Sequence, residues 1–304
     1  MASASRIKRM LRRHEAEMKA LTARQARQFL SIYEQARKDL LLQLTTMEMD
    51  GGDVAMPFTA QRLRVMLAQV ESGIRELQSK LGIEMAVEGR KQRDLALRQL
   101  VELIEAAEPG LVGAGPQINT RVLARIAERE QTALWRFSLE RYSADIITAA
   151  HRQLVLGVAK GSTWTDMAKA VSGSSGQIAK LNGRGLLITR MEMVRAHNDA
   201  TLDGIAEANE LLDEDGDDPI LKRVDAYMDA RNHPISRALD GLTVPADEPF
   251  RVLVSEVKRH AAAMGKSLGG IVWAREGEYF VGANVPAHYN DRDRIVPHRA
   301  SWPI

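Results

Sequence analysis

The sequence predicts a mostly α N-terminal part built of long helices, followed by a small α+β C-terminal domain. Three observations predict it. No glycine or proline occurs between Arg6 and Asp50, and apolar residues recur there at roughly helical steps. The same periodicity returns over residues 60 to 107. After Pro219 the texture changes to short apolar runs punctuated by Gly, Pro, Asp and Asn.

In the first helix the stripe is Met10, Met18, Leu21, Phe29, Tyr33, Ala36 and Leu40, ending at Gly51-Gly52-Asp53. Thr59, after Pro57 and Phe58, can cap the second. Its stripe is Leu63, Met66, Leu67, Val70, Ile74, Leu77 and Leu81, continued by Leu95, Leu97, Leu100, Leu103 and Ile104. Gly73, Gly82 and Gly89 are the points where it could kink. Residues 108 to 116 are rich in Pro and Gly and read as a linker. A third helix is expected to start at Asn119 or Thr120 and run to about Ala159. Gly161 to Asp166 cap a short helix, Met167 to Val171, and a Gly/Ser loop follows over 172 to 176. One more helix is expected over Leu186 to Leu212.

Residues 213 to 219 form an acidic turn. Its carboxylates alternate as in a calcium loop, but the Glu that closes an EF-hand loop is missing, so a solvated turn is the reading. Beyond it, Val224 to Met228 reads as a strand. Val252 to Met264 reads as a helix with Leu253, Val257 and Ala261 inward. Gly269 to Ala274 and Glu278 to Val281 read as a hairpin turning at Arg275-Glu276-Gly277. The expected segments are a long helical arm or bundle over 1–110, a helical segment over 117–212 and a compact α+β end over 219–304.

Composition bounds the function. The chain has 304 residues, enough for one large or two modest domains with a sizeable core. A hydrophobic fraction of 45% and a charged fraction of 27% are those of an ordinary globular protein. A net charge of +2 gives no whole-protein attraction to nucleic acid. There is no cysteine, which excludes disulfides, thiolate metal sites and a Cys nucleophile and fits a reducing compartment. No apolar stretch approaches the ~20 residues a bilayer span needs, so no membrane partner is expected. The basic N-terminus has no apolar run after it and is not a Sec signal.

Charge is nonetheless local. The first helix carries Arg6, Lys8, Arg9, Arg12, Arg13, Lys19, Arg24 and Arg27 against Glu15 and Glu17. Such a run is ordinarily a solvated helix face. The sharper reading is a basic arm that contacts an acidic protein surface, or nucleic acid without sequence specificity. No aromatic residues interleave with it, which argues against a single-strand stacking platform.

The C-terminal region concentrates Asp, Arg, His, Gly and Pro at turns. If Asp229, Arg231, His233, Asp240, His288, Asp291 and Asp293 converge, imidazole and carboxylate together suit a divalent metal, and a metal-dependent hydrolase or nuclease can be built that way. The structural reading is that Arg231, Arg292 and Arg294 pair with Asp229, Asp240, Asp291 and Asp293 and pin long turns. The structural reading is preferred, because no ordered metal-ligand spacing appears. Glu192 can pair with Arg195, and Arg195 with Asp199, along one helix. His151 and His197 have no His partner at metal spacing. Gly265-Lys266-Ser267 matches only the end of a phosphate loop, since His260 stands where the required glycine belongs. No Gly-x-Ser-x-Gly turn occurs. No catalytic residue and no cofactor is therefore assigned, a divalent metal being the one candidate.

Several pieces of the C-terminal half occur together in a specific order. They are Gly161-Ser162-Thr163-Trp164 with Ala168, then Thr189-Arg190-Met191-Glu192 with Arg195-Ala196 and Asn198. Next come Asp229-x-Arg231, Pro234, Leu239-Asp240-Gly241, Pro245 and Asp247-Glu248-Pro249-Phe250. Last are Pro286-x-His288-x-Asn290-x-Arg292 and Val296-Pro297. In this the segment from about Leu154 to Pro297 resembles the phage minor head protein family, the Mu F-like head morphogenesis proteins. The chain departs from that pattern where the family often has His (Ser236 here) and where its closing motif often has two Cys (Asp291 and Asp293 here). The resemblance implies a minor capsid protein that associates with the portal and other head proteins and assists head assembly, DNA packaging or delivery. It implies a place in the virion, at the head interior or portal vertex, and in the host cytoplasm during assembly. Residues 6 to 49 would be the partner-binding arm and residues 222 to 297 the folded anchor. Only seven residues follow Pro297, so no appended effector domain is expected. A non-specific DNA-binding virion protein acting through the basic helix is the other reading.

Overall fold

The computed structural model describes residues 4–49, 60–129, 134–160, 162–212, 218–226, 228, 232–285, 287–288, 291 and 293–302. The helices are α1 (Ala4–Met49), α2 (Ala60–Ala107), α3 (Gly115–Arg129), α4 (Leu134–Ala159), α5 (Trp164–Ser172), α6 (Gln177–Leu211), α7 (Pro234–Leu239) and α8 (Val254–Met264). The strands are β1 (Leu221–Asp225), β2 (Thr243–Val244), β3 (Phe250–Leu253), β4 (Ala274–Glu276), β5 (Tyr279–Gly282) and β6 (Arg294–His298). The protein is thus mostly α with a small α+β end. Among the described residues, no helix is long and apolar enough to cross a membrane.

The chain divides into two compact units, each assembled from separated segments. One comprises Met1–Ala23, Glu88–Thr132 and Arg190–Ile304; the other comprises Arg24–Val87 and Ala133–Thr189. This differs from the contiguous partition 1–110, 117–212 and 219–304. Helices of 46, 48 and 35 residues are longer than one small core can cover, so α1, α2 and α6 each contribute to both units.

In the first unit, one core gathers Ile7 of α1, Leu97, Leu100, Leu103 and Ile104 of α2, Ile118 and Val122 of α3, and Ala200, Ile205 and Ala208 of α6. Val224, Ile235, Leu239, Phe250, Val252, Val257, Ile295 and Trp302 complete it. Two three-stranded antiparallel sheets lie in this unit, ordered β2-β1-β6 and β3-β5-β4. The β1–β6 register sets Arg223 opposite Val296 and Asp225 opposite Arg294. Burial alternates along β1, with Lys222 and Val224 inward and Leu221, Arg223 and Asp225 on the other face. Gly265, at φ +61°, ends α8 in the left-handed conformation that side chains with a Cβ resist.

In the second unit, the core takes Phe29, Tyr33, Leu40 and Leu44 from α1 and Met66, Val70, Ile74, Leu77 and Leu81 from α2. It also takes Tyr142, Ile146 and Leu154 from α4, and Met167 and Val171 from α5. The apolar stripes expected in α1 and α2 are the buried ones. Tyr33 and Tyr142 meet edge to face, with centroids 6.1 Å apart. The Arg37 guanidinium donates to the Ser172 carbonyl at the end of α5 (3.1 Å) and pairs with Glu34 at 2.8 Å. Thr163 caps α5, its hydroxyl oxygen accepting the Asp166 N–H at 3.1 Å.

Several boundaries differ from those the sequence predicts. The third helix begins at Gly115 rather than Asn119 or Thr120, and Gly73, Gly82 and Gly89 leave α2 unbroken. The helix expected from Leu186 begins at Gln177. Gly185 lies inside this helix, and a Cβ there would stand 2.1 Å from the Tyr33 hydroxyl and 2.9 Å from that of Tyr142. That glycine serves packing and does not end the helix. The first strand is Leu221–Asp225, three residues earlier than expected. Phe250–Leu253 is a strand, so Leu253 is exposed and Val254 takes the inward place in α8. The hairpin turns at Gly277-Glu278, and β2 and β6 have no counterpart in the sequence reading.

The close approach at Gly185 makes a specific prediction. Gly185→Ala must push two buried tyrosines apart, at a cost of about 1–3 kcal/mol. A thermal melt should show a Tm lowered by several degrees; an unchanged Tm would contradict the packing.

Candidate functional site

The polar cluster expected at the C-terminal turns forms in part, and within the first unit. His233 caps α7: its Nδ1 accepts the Ile235 N–H at 3.2 Å. Nε2 therefore carries the proton and donates to the Gly269 carbonyl at 3.0 Å. The ring stacks on His288, with centroids 4.4 Å apart. Burial, then the neighbouring His288, hold His233 below its ordinary pKa. His288 Nε2 lies 2.9 Å from the hydroxyl of Ser236, one of the positions where the sequence departs from the resembled pattern.

Asp291 organises the loop between Ala287 and β6. One carboxylate oxygen accepts the Ala287 N–H at 2.5 Å and the other accepts the Asp293 N–H at 2.8 Å. Burial pushes its pKa up, against the pull of these bonds. His288, Asp291 and Asp293, all buried, each offer one ligand atom within 4.8 Å of the others. An imidazole with two carboxylates suits a divalent transition metal. Each oxygen of Asp291 already accepts one N–H and keeps one lone-pair site, and three protein ligands are the number of an open zinc site and one fewer than a closed structural site uses.

The remaining expected residues fall outside this cluster or outside the description. Asp229, Arg231, Asn290 and Arg292 lie outside the described residues. Asp240 accepts the Ala226 N–H at 3.0 Å, and Gly241, at φ +78°, donates its N–H to the Val224 carbonyl at 2.9 Å. That pair locks the turn after α7 onto β1. Arg294 does not pair with Asp240, Asp291 or Asp293. The β1–β6 register brings it to Asp225 instead, at 2.5–2.7 Å, and its guanidinium also donates to the Leu11 carbonyl of α1 at 3.0 Å.

On α6, Arg190 is exposed and Glu192 pairs with Arg195 at 2.7 Å. Burial raises the Glu192 pKa, Arg195 opposing it. Asp199 accepts from the Asn284 side chain at 2.6 Å. Of the basic residues of α1, Arg6, Lys8, Arg9, Arg12, Arg13, Lys19, Arg24 and Arg27 are all exposed. Lys19 pairs with Glu15, and Arg13 with Glu17 and Glu102.

Three buried environments carry no local sequence signal, although Asn198 itself belongs to the motif of α6. Asn198 is fully buried; its amide donates to the Val285 and Asp293 carbonyls at 3.3 and 3.1 Å and accepts the Ile295 N–H at 2.9 Å. Lys222 is buried over the Phe250 ring, 4.7 Å from its centroid, donating to the Ala283 carbonyl, and burial pulls its pKa down to about 8. His197 is buried with Gln99 Oε1 3.3 Å from Nε2, and burial, assisted by Arg294, pulls its pKa down to about 4. Apolar neighbours in space, not in sequence, create all three environments. A cavity of about 520 Å³ in the same unit is lined by Arg125, Asp199, Asp203 and Asp247 and holds none of the expected site residues.

No family model matches the chain, and no curated protein and no solved structure matches it.

Two expected outcomes follow from these environments. Asp291→Ala strands two buried N–H groups and should cost about 1–3 kcal/mol for each. Chelator should leave the wild-type melting curve unchanged; a Tm that falls with chelator and recovers with Zn²⁺ or Mn²⁺ would make the cluster a metal centre. His197 binds a proton more readily unfolded than folded. Its stability contribution is intact above pH 6.5 and is lost as pH falls toward 4. The shift from 6.5 to about 4 corresponds to at most about 3 kcal/mol. Urea unfolding at pH 7 and pH 5 should show a smaller stability loss for His197→Gln than for the wild type.

Proposed function

We propose that this chain is a minor head protein of a tailed phage, one that associates with the portal and other head proteins during assembly and assists DNA packaging or delivery. The observation that carries the reading is the Asn198 amide. It joins three of the segments on which the family resemblance rests. They are the helix bearing Arg190, Glu192 and Arg195, the strand bearing Val296 and Pro297, and the closing segment around His288 and Asp291. Pieces 87 to 97 residues apart thus belong to one hydrogen-bonded framework, which supports reading them as one motif and not as coincidences of spacing. Asp240, Gly241 and Asp291 are occupied with backbone groups, and Arg294 with Asp225 and a backbone carbonyl, which suits a scaffold.

The arm takes a changed form in this reading. Ile7 is fully buried in the first unit's core, so the start of α1 is part of a folded unit and not a free appendage. Partner contacts are carried by its exposed positions. Leu42, in the part of α1 that belongs to the second unit, is 67% exposed and is a suitable contact for a helical partner.

Co-purification of the full chain with the portal protein of the same phage tests the proposal. Retention is expected, and Leu42→Glu should lower it at least about fivefold, the effect of losing one apolar anchor, without changing the melting temperature. Failure of the full-length wild type to be retained would overturn it.

A further inference from the structure

A second site lies in the first unit, away from the His288 cluster. The outer face of the β1–β6 pair carries Arg223, Asp225, Arg294 and His298, because burial alternates along β1 and the register aligns the two strands. The opening turns of α1 lie against this face, held by the bond from Arg294 to the Leu11 carbonyl. Between them is a cleft of about 210 Å³. Lys8 and Arg12, four residues apart on one face of α1, form one wall, and Arg223 and His298 stand on the other.

The charges in this cleft are unevenly committed. Its two carboxylates are already engaged, Asp225 with Arg294 at 2.5 Å and Glu15 with Lys19 at 2.9 Å. Lys8, Arg12 and Arg223 have no carboxylate partner among the described residues. Three unpaired cations around one concave space repel one another and are relieved by an anion. The His298 Nδ1 is buried and makes no hydrogen bond among the described residues. Burial and Arg223 hold this imidazole below its ordinary pKa, so at neutral pH it offers a neutral donor beside the cations.

We propose that this cleft binds a phosphate of the nucleic-acid backbone, gripped between Lys8 and Arg12 of α1 and Arg223 of β1, with His298 beside it. Arginine forks and a lysine are the side chains that take phosphate oxygens, and such contacts carry no base information. A backbone phosphate fits better than a free one. Arg6 and Arg9 are exposed on the same opening turns of α1 and add to the positive charge around the cleft, which favours a polymer of phosphates. The sequence assigned only the helix; the sheet residues Arg223 and His298 turn a charged stripe into a concave site. This site is independent of portal association and stands or falls separately from it.

Fluorescence anisotropy of a mixed-sequence DNA duplex with the full chain tests it. Neutralising the one phosphate in the cleft should contribute about −0.9 to the slope of log affinity against log salt between 50 and 200 mM. Arg223→Gln and Arg12→Gln should each weaken binding about fivefold or more and reduce the slope by about 1. Lys258→Gln, an equal charge change on the exposed face of α8, should do neither. Unchanged circular dichroism and Tm show that each variant is folded. The proposal is overturned if the wild type does not bind the duplex at 50 mM salt, or if Lys258→Gln weakens binding as much as Arg223→Gln. It is overturned as a nucleic-acid site if inorganic phosphate at millimolar concentration displaces the duplex at constant ionic strength, which marks a small-anion site. Displacement by an acidic peptide at concentrations where phosphate has no effect would mark a protein-docking site instead.

Discussion

The side-chain amide of Asn198 fixes α6 to the closing segment of the chain, donating to two carbonyls and accepting one N–H with nothing exposed to water. A segment with so few strand residues cannot satisfy its buried backbone by sheet pairing alone, and each orphaned group would cost about 1–3 kcal/mol. The amide supplies both polarities from one side chain, which neither a carboxylate nor an ammonium group can do. Its N–H acceptor bond holds β6 in place. β6 in turn sets the register of β1, and Arg294 on β6 reaches the Leu11 carbonyl of α1. The seating of the first helix thus traces back to one buried amide.

Several polar groups in this unit are buried as partnered sets. Asp291 takes two backbone N–H groups, His233 caps α7 and stacks on His288, and Gln99 links His197 with the His14 carbonyl. Such arrangements specify one conformation, since a shift of any member leaves several groups unpaired. They also explain why the C-terminal cluster resembles a catalytic constellation. The residue types needed to pin turns are the ones that bind metals and move protons. The cations of the cleft between α1 and β1 are different, because the fold does not consume them.

The second unit rests on ordinary helix packing: an aliphatic and tyrosine core, close approach at Gly185, and a guanidinium closing the end of α5. The long helices serve both units, and their apolar stripes continue through each. A stripe at helical period states which face is buried but not which of two cores receives it.

The sequence by itself determined the helical class, the inward stripes of α1 and α2, a helix capped within residues 161 to 166 and the change of texture after Pro219, because these rest on periodicity and local backbone chemistry. It also brought His233, His288, Asp291 and Asp293 forward as a set, because Asp and His at turns are conspicuous residue by residue. It did not determine where β1 begins, that β2 and β6 exist, or that Gly185 lies inside a helix, since pairing partners about 20 and about 70 residues away decide the first two and two tyrosines decide the third. Nor did it assign Arg294 to Asp225, reveal the buried states of Asn198, Lys222 and His197, or set Arg223 beside Lys8 and Arg12. Those depend on which surfaces meet, and only the tertiary structure, through strand register and burial, decides that.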